Sequence, residues 1–392
     1  MDSQPLAGTR IVSFEQYGAA PYATLLLAGL GAEILKIEND DKGGDDARAM
    51  APLTLGPADS LYFQCFNLGK KSVCLNIKRP EDRAVLEDMV RDADAVVNNL
   101  RGSLPAKLGL DYAGLKQVKP SIVCGHISAY GRNNSRADWP GYDFLMQAEA
   151  GIMSLTGEPG GPPARIGLSM IDYMSGVILA LGVVSAIQAA RRTGTGMDVD
   201  VSLFGTALHQ LAYQGTWYLN EGLVTGRTPR AGHPTAVPTQ LFPTADGWVS
   251  VCCMKQKFWT ILIDRIARPD LGADPRFAAF ADRSRHRDEL TPILDDVFAT
   301  QPTDHWVTLL SGHIPVAPVF DLEQALDSDF VREIGMIEDI AYGNGGSLRM
   351  LSHPIEIDGR RAPRNRGPKL GEHTEDVRRR SAGKPSADGE SQ

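Results

Sequence analysis

Short apolar runs alternate with helix-length segments through the first third of the chain. Five runs predict strands, at residues 10–14, 33–38, 72–77, 93–98 and 122–127. Between them, apolar positions at helical spacing predict helices at residues 22–30, 80–91 and 112–117. Strand–helix–strand units build parallel sheets whose ligands bind near the carboxyl ends of the strands. We therefore predict an α/β large domain over residues 1–223, similar to a dinucleotide fold but without the GxGxxG fingerprint.

The pattern changes after the helices that dominate residues 142–221 and the strand predicted at residues 197–201. Residues 224–239 are rich in Gly, Pro, Thr and Arg and have no periodicity, which predicts a linker. A strand at 248–252 and helices at 258–266, 287–299, 303–310 and 322–326 then predict a smaller α+β domain over residues 240–346. Short strands are predicted at 347–351 and 355–357, and residues 381–392 are predicted to form a disordered tail.

Asp172 stands between a loop rich in Gly and Pro, residues 157–163, and a long uncharged segment that runs to Arg191. The aspartate is either the N-cap of a helix or a carboxylate placed for chemistry. At a helix N-terminus the dipole and free N–H groups are expected to hold the carboxylate ionised. Partial burial beside an apolar helix would leave it poorly hydrated and therefore a better nucleophile. The uncharged segment is long enough to raise the question of a membrane span, but its Ser, Gln and Gly residues favour a core helix.

The composition narrows the class of protein. A share of 43% apolar and 22% charged residues is typical of a globular protein, and a net charge of −8 argues against a nucleic-acid surface. The N-terminus lacks the apolar run of a signal peptide. Five cysteines without CxxC spacing indicate a reduced, cytoplasmic protein without a metal site.

Other polar residues leave more than one interpretation open. Lys70, Lys71 and Lys78 flank one predicted strand, and Arg101 and Lys107 follow the next. These five cations either meet an anionic ligand such as CoA or serve as solvated surface. Asp143 follows the breakers Pro140 and Gly141 and is placed at the start of a helix. His126 and His373 are acid/base candidates by residue type alone.

A series of segments along nearly the whole chain carries a family resemblance. The segments are PLAGTRIV, GLGAEILKIE, FNLGKKSVCLNIK, WPGYDFLMQAEAG, TGEPGGPPARIGLSMIDYMSG and PKLGEHTEDV. In order and spacing they resemble the family III CoA-transferases, the group that includes formyl-CoA transferase, carnitine CoA-transferase and the α-methylacyl-CoA racemases. The resemblance implies a Rossmann-like large domain, completed by residues 347–380, a smaller α+β domain, and two subunits interlocked like chain links.

The resemblance also implies roles for individual residues. Asp172 is expected to carry an acyl group as a mixed anhydride and then CoA as a thioester. Tyr17, Gly18 and Ala19 would form the loop that faces it, and Tyr142 and Asp143 would lie near the reacting carbonyl. The implied CoA contacts are Asn39, Arg48, Leu75, Lys78, Asn99, Leu100, Lys107 and Leu108. The implied partners are an acyl-CoA, a small carboxylic acid and a second copy of the chain, with no metal, NAD, nucleic acid or membrane.

Two departures from the family pattern bear on the substrate. Formyl-CoA transferase has a glutamine where this chain has Gly18, and a run of glycines where this chain has residues 232–238, so formyl-CoA and oxalate are not expected. The segment around His233 resembles relatives that handle larger acids. Arg227 and Arg230 suggest a dicarboxylate acceptor with succinyl-CoA as donor, although linker solubility explains these arginines equally well.

Three other functions remain as alternatives. A racemase or epimerase of the same family uses a histidine in the sequence GHD, whereas this chain has Tyr142 and the sequence GYD. An inactive CoA-binding protein would be expected to lack Asp172 or its Gly-rich entry, and both are present. An NAD oxidoreductase would need the missing fingerprint.

Overall fold

The contacts divide the chain into two units. A computed structural model describes residues 4–343 and 345–383. Among these, the first unit holds residues 4–150, 167–210 and 332–383 except 344, and the second holds residues 151–166 and 211–331.

Strands and helices alternate along the chain, as the pattern predicts. The strands are β1 Arg10–Phe14, β2 Glu33–Glu38, β3 Thr54–Gly56, β4 Asp59–Ser60, β5 Lys71–Cys74, β6 Ala95–Asn98, β7 Val123–Ser128, β8 Met197–Ser202, β9 Thr239–Pro243, β10 Trp248–Cys252, β11 Val316–Pro318, β12 Ile337–Tyr342 and β13 Gly346–Leu351. The helices are α1 Ala19–Gly29, α2 Leu61–Asn67, α3 Pro80–Asp92, α4 Leu104–Lys107, α5 Tyr112–Leu115, α6 Asp143–Glu149, α7 Met170–Thr193, α8 Leu203–His209, α9 Ala212–Glu221, α10 Gln256–Arg265, α11 Asp270–Ala273, α12 Phe280–Arg285, α13 Arg287–Phe298, α14 Thr303–Leu310, α15 Leu322–Leu326, α16 Asp329–Glu333 and α17 Thr374–Ala382. Short 3-10 turns at residues 40–42, 46–49, 152–154 and 229–231 complete these elements.

A six-stranded parallel sheet forms the centre of the first unit, which confirms the predicted α/β fold. Its order is β5-β2-β1-β6-β7-β8. Val12 on the central β1 pairs with Leu35 on one side and Val96 on the other, and Val12 is fully buried. Burying an aliphatic side chain of this size contributes about 1.5–3 kcal/mol, so the sheet is anchored by its apolar interior. Because the strands are parallel, the loops after β1, β2, β5 and β6 all emerge at one edge.

The long apolar helix α7 packs against α1 and the sheet. Its length and composition would also suit a membrane span, but Leu179 and Val183 are fully buried within the unit, as a core helix requires. Gly176 permits the approach to α1, because a Cβ there would lie 2.7 Å from the carbonyl oxygen of Ala19. This close approach brings the first turn of α7 beside the N-terminus of α1.

The C-terminal part of the first unit begins earlier than predicted. Ile340 on the β12–β13 hairpin packs with Leu25 and Leu68, which assigns residues 332–346 to the first unit rather than to a small domain. The strand predicted at residues 355–357 is wrong, because Ile357 makes only an isolated bridge with Arg360. Helix α17 continues through Ala382, so the predicted tail 381–392 begins within a helix. Residues 384–392 lie outside the described part of the chain.

The second unit is an α+β assembly with its own core. The antiparallel sheet β11-β10-β9 packs with helices α10, α13 and α14 around Phe242, Trp259 and Phe298. Residues 211–223, predicted to belong to the large domain, group with this unit, and so does the Gly- and Pro-rich loop at residues 157–163. The predicted linker 224–239 also lies within this unit.

Candidate active site around Asp172

Asp172 is the third residue of α7 rather than its N-cap. The N-cap is Ser169, whose side chain makes no capping hydrogen bond. The interpretation of Asp172 as a helix cap is therefore wrong. Its half-buried carboxylate lies in the first turn of the helix and opens to a cavity in the first unit.

Asp143, and not Asp172, caps the N-terminus of α7. It is the first residue of α6, yet its buried carboxylate reaches the start of α7. Its Oδ2 accepts hydrogen bonds from the backbone N–H of Ile171 at 2.6 Å and of Asp172 at 3.1 Å. The side chain of Gln147 donates to Oδ1 at 2.6 Å. Asp143 thus caps α7 from another helix and uses the amides that were expected to stabilise Asp172.

The pKa of Asp172 is raised to about 7, chiefly by burial and further by the negative charge of Asp143. Burial, together with the nearby charge of Asp143, therefore outweighs the effect of the helix N-terminus, which was expected to hold the carboxylate ionised. A carboxylate with so high a pKa is more basic than an exposed aspartate, and therefore a stronger nucleophile when ionised.

Gly18 and the start of α1 face Asp172. A Cβ on Gly18 would lie 3.5 Å from Oδ2 of Asp172, so the glycine leaves open the space beside the carboxylate. Gly18 is the N-cap of α1, and the first intrahelical bond runs from Tyr22 N–H to its carbonyl oxygen. The amides of Ala19 and Ala20 precede that bond and have no partner within the helix. The segment predicted as a turn is therefore partly helical, and it brings a helix N-terminus to the candidate nucleophile.

Tyr17, just before that helix, has a left-handed backbone with φ of 60°. Such a conformation is uncommon outside glycine and is kept only where neighbours hold it. Asp45 accepts a hydrogen bond from the Tyr17 N–H at 3.2 Å, and Asp46 accepts one from its hydroxyl at 3.2 Å. The Tyr17 ring meets the exposed ring of Tyr142 edge to face, with centroids 6.4 Å apart.

Aromatic side chains form an apolar wall near Asp172. Tyr173 packs on Phe66 with ring centroids 6.0 Å apart, and Phe66 packs on Tyr62 at 5.2 Å. The space that a Gly18 side chain would fill also borders the Tyr62 hydroxyl and the Phe66 ring, at 3.8 and 3.9 Å. This wall limits hydration of the carboxylate and accounts for the burial that raises its pKa.

Part of the implied CoA site lies together in this cavity. Asn99 and Leu100 line it with Tyr17, Gly18 and Tyr142. Asn99 also holds the loop after β1: its Nδ2 donates to the Gln16 carbonyl oxygen at 2.8 Å, and its Oδ1 accepts from the Gln16 N–H at 3.0 Å. Asn39, Lys78 and Lys107 follow β2, β5 and β6 at the same edge of the sheet, where Lys78 and Lys107 are exposed. Leu75 is buried, and Leu108 packs against the same core.

Arg48 differs from its predicted role. Its guanidinium is buried, donates to both carboxylate oxygens of Glu38 at 2.6 and 2.8 Å, and bonds to the carbonyl oxygens of Ala58 and Pro368. It also stacks 3.7 Å above the centroid of the Phe63 ring. With these partners Arg48 supports the fold beneath the loops, and it is not placed to hold a CoA phosphate.

The predicted acid-binding residues all have partners in the second unit. Arg230 pairs with Asp295, and the Arg227 guanidinium donates to three carbonyl oxygens of residues 158–162. His233 accepts backbone N–H bonds from Thr235 and Ala236 at Nδ1, which assigns its proton to Nε2. Burial lowers the pKa of His233, so this ring is neutral at pH 7.

The two other candidate histidines lie elsewhere. His126 is buried in the sheet, with one ring nitrogen 2.9 Å from Asn98 Nδ2 and the other 2.9 Å from Asp198 Oδ1. His373 accepts a hydrogen bond from the N–H of Ser72 in β5. Both have structural partners, and neither lines the cavity around Asp172. Within residues 4–343 and 345–383, no group of three His, Cys, Asp or Glu side chains is arranged to hold a metal.

Sequence reasoning missed a buried group of charges beneath the loop after β1. Glu15, Lys36, Asp45 and Lys70 are all buried and paired with one another. Burial lowers the pKa of Lys70 to about 8 even though Glu15 opposes this effect. Lys70 was predicted to be a surface or ligand-binding cation. Its place after a short helix gave no signal of burial, whereas Lys36 stands inside the apolar strand EILKIE, where an inward charge could have been noticed.

Comparison with known proteins identifies the family. The family model described as CoA-transferase family III matches residues 6–374. The chain belongs to CoA-transferase family III. It is 34% identical over 385 residues to the acetyl-CoA:oxalate CoA-transferase of Acetobacter aceti, which covers 96% of each chain. It is 30% identical over 383 residues to the succinate–glutarate CoA-transferase of Agrobacterium fabrum, covering 95% of this chain and 94% of the relative.

A solved structure supports the same assignment. The crystal structure of a CAIB/BAIF family protein from Brucella suis superposes with a TM-score of 0.82 at 30% identity, over 96% of this chain and 99% of the other. The mixed α/β fold with its parallel central sheet is therefore that of this family. The chain is a CoA-transferase, an enzyme that acts on acyl-CoA and carboxylic acids.

Proposed function

We propose that this CoA-transferase moves CoA from an acyl-CoA to a carboxylic acid through covalent intermediates on Asp172. The observation that carries the proposal is the position of this carboxylate: half-buried, with a pKa raised to about 7, and next to the open space at Gly18 and the start of α1. A group that titrates near neutral pH combines a useful ionised fraction with high basicity.

The proposed reaction begins when an Asp172 oxygen attacks the thioester carbonyl of the donor. The C–S bond breaks, CoA leaves as the thiolate, and the aspartyl–acyl mixed anhydride forms. The thiolate then attacks the aspartyl carbonyl, which gives an aspartyl-CoA thioester and releases the donor acid as its carboxylate. The acceptor carboxylate attacks this thioester, the C–S bond breaks, and a second anhydride forms as the CoA thiolate leaves. The thiolate then attacks the acceptor's acyl carbonyl, which breaks the anhydride C–O bond, forms the new acyl-CoA and releases Asp172 as its carboxylate.

Each attack places negative charge on a carbonyl oxygen, and the charge needs fixed donors. The amides of Ala19 and Ala20, which precede the first intrahelical bond, lie at the N-terminus of α1, next to the space that Gly18 leaves beside Asp172. We assign the oxyanion to this helix N-terminus, since both the free N–H groups and the helix dipole favour an anion there. Tyr142 and Tyr17 border the same space and would enclose the reacting thioester.

CoA is proposed to extend from this cavity along the carboxyl edge of the sheet. Asn99 and Leu100 line the cavity, and the exposed Lys78 and Lys107 supply positive charge after β5 and β6. Phosphate groups are attracted to such cations, whereas Arg48 is excluded from this role by its pairing with Glu38. Replacing Lys78 or Lys107 is therefore expected to weaken CoA binding more at low salt than at high salt.

The acid substrate is proposed to be a dicarboxylate, with succinyl-CoA among the donors. The two relatives described above, among others, are named for dicarboxylates, oxalate in one and glutarate in the other. Oxalate therefore belongs among the acids to be tested, even though Gly18 replaces the glutamine of formyl-CoA transferase. A mass-spectrometric screen of donors and acids decides this point, and activity with monocarboxylates alone would contradict it.

A cytoplasmic homodimer is part of the proposal. In the first unit, α7 exposes Val177 and Leu181, the latter 68% accessible. In the second unit α9 buries no residue, and its Leu219 is 81% accessible. Apolar side chains at these positions are stabilised when another chain covers them, which supports the interlocked arrangement that the family resemblance implies. Size-exclusion chromatography with light scattering tests the dimer, and a stable active monomer would contradict it.

The mechanism is tested by Asp172→Ala. This variant is expected to remain folded and to bind CoA but to lose transfer, because Asp172 is the one carboxylate among the described residues that line the cavity. Transfer at the wild-type rate would refute the covalent role. The racemase alternative predicts instead that wild-type enzyme exchanges the α-proton of an acyl-CoA without exchanging CoA. Tyr142 at the histidine position argues against that outcome.

A further inference from the structure

The loop that faces Asp172 is held from below by buried ionic side chains. Lys36, in the middle of β2, donates from Nζ to the backbone carbonyl oxygen of Glu15 and to Asp45 Oδ2, both at 2.8 Å. Asp45 uses its other oxygen, Oδ1, to accept the N–H of Tyr17 at 3.2 Å. One lysine and one aspartate therefore fix the backbone on both sides of residue 16.

The same group holds the far side of the loop. Lys70 donates from Nζ to Glu15 Oε1 at 2.7 Å and to the carbonyl oxygen of Pro21 at 3.0 Å. Thr24 on α1 donates to the Glu15 carboxylate at 2.8 and 2.9 Å. The backbone is thus held at residues 15, 17 and 21, and the segment between the last two contains the amides of Ala19 and Ala20.

The charges of the four buried side chains sum to zero. Lys36 and Lys70 carry two positive charges, Glu15 and Asp45 two negative ones, and all four side chains are inaccessible or nearly so. Burying such ions costs several kcal/mol each, and apolar residues of similar volume often give an equally stable fold. Stability alone is therefore a weak reason for their presence beneath this loop.

We propose that Asp45 is a positioning residue for the transfer reaction, which, with Lys36 as its buried counter-charge, holds the Tyr17 amide and thereby aims the N–H groups of residues 19 and 20 at the oxyanion formed beside Asp172. This inference rests on the proposed function. The orientation of the two N–H groups depends on the left-handed backbone of Tyr17, because that conformation turns the chain from β1 into α1. Without the Asp45 acceptor, Tyr17 relaxes toward a common conformation and the amides that follow it rotate away.

The test compares two double variants from which the buried pair has been removed. In Lys36→Met/Asp45→Leu both charges are gone and the Tyr17 N–H has no acceptor. In Lys36→Met/Asp45→Asn the charges are gone, but an amide oxygen remains in place to accept the Tyr17 N–H. Both variants keep the net charge of the buried group. Thermal unfolding and CoA binding are measured in parallel with transfer kinetics, to separate a loss of stability or binding from a loss of transfer. Lys71→Met is the matched control, because Lys71 pairs with Glu33 at the amino-terminal ends of β5 and β2, opposite the edge that carries the loop facing Asp172, and so does not hold CoA there.

The leucine variant is expected to lose about 10²-fold in kcat, the usual effect of losing one well-placed oxyanion donor, with KM for acyl-CoA within about threefold of wild type. The asparagine variant is expected to have a kcat at least about tenfold higher than that of the leucine variant, and the control is expected to keep the wild-type kcat. A wild-type kcat in the leucine variant, or equal losses in both variants, would overturn the positioning role. A loss of kcat that tracks the fall in melting temperature, and not the presence of an acceptor for the Tyr17 N–H, would also overturn the proposal.

If Lys36→Met/Asp45→Leu does not fold, a second pair of variants tests the same proposal. In Asp45→Asn alone, the asparagine either directs its N–H₂ group at Lys36 Nζ or turns its oxygen toward Lys36 and away from the Tyr17 N–H. We therefore expect kcat to fall, and we expect the added Lys36→Met substitution to restore it. Absence of that second-site recovery would overturn the proposal. Failure of the proposed function has a different signature, because it appears as no CoA transfer by wild type or as undiminished transfer by Asp172→Ala. Either of these results overturns both proposals.

Discussion

Asp143→Asn is the change that separates the two causes of the raised pKa of Asp172. Burial is the larger cause of the rise from 3.8 to about 7, and the charge of Asp143 is the smaller. Removing that charge is expected to lower the pKa of Asp172 by about 1 pH unit, equivalent to about 1.4 kcal/mol. The asparagine keeps an oxygen for the N–H groups of Ile171 and Asp172, and Gln147 can rotate to accept its new N–H₂. The cap is kept while the charge is lost.

The assay is the pH dependence of kcat/KM for the acyl-CoA donor, which reports groups of the free enzyme. Wild type is expected to gain activity as the pH rises through about 7, because Asp172 must be ionised to attack. The midpoint should move to about pH 6 in Asp143→Asn and stay in place in Asp143→Glu, which keeps the charge. An unchanged or raised midpoint in Asp143→Asn would refute the electrostatic account of Asp172.

Further predictions concern stability and the space around the site. Because the folded-state pKa of Asp172 lies above the ordinary 3.8, ionisation destabilises the fold, and Asp172→Asn should raise the free energy of unfolding above pH 7 by up to about 4 kcal/mol. Thermal melts should show that gain shrinking as the pH falls from about 7 to about 4, and a gain independent of pH would contradict it. Gly18→Ala should fold and bind CoA, since its φ of −109° suits alanine, yet its methyl group 3.5 Å from Asp172 should reduce kcat/KM about tenfold in steady-state assays. Arg230→Met should lower the stability of the second unit by about 1 kcal/mol through loss of the Asp295 pair, and a changed preference among acids would show that Arg230 binds substrate after all.

The parallel sheet could be predicted from the sequence because its strands are short apolar runs bounded by polar breaks. Five predicted elements agree with the structure residue for residue: β1, β2, β10, α14 and α15. The start of α1 could not be placed, since Ala19 and Ala20 carry no capping signal and Pro21 suits a turn as well as a first helical turn. The first strand of the C-terminal hairpin, β12, was assigned to the small domain because the residues that its Ile340 contacts, Leu25 and Leu68, lie far away in the sequence.

At the site, the family resemblance implied that Tyr17, Gly18 and Ala19 face Asp172, and the structure brings these residues together, but the sequence did not show how they are supported. The cap on α7 comes from a residue 29 positions earlier, on a different helix. Local patterns contain no information about such a contact. Buried ions are equally hard to foresee, because Arg48 and Lys70 have the composition of surface loops and are enclosed only when Glu38 and Glu15 come to meet them. Charged residues are rarely buried unless paired, and a pair across distant segments exists only in the fold.

The measurement that tests the central claim most directly is chemical trapping of the intermediate. Wild-type enzyme is incubated with an acyl-CoA donor, quenched with hydroxylamine or borohydride, digested and examined by mass spectrometry. We expect one modified peptide, with the change at the side chain of Asp172, and no modification in Asp172→Asn treated in the same way. Modification at another residue, or full CoA transfer by an enzyme that never yields an adduct at Asp172, would contradict a covalent aspartyl mechanism.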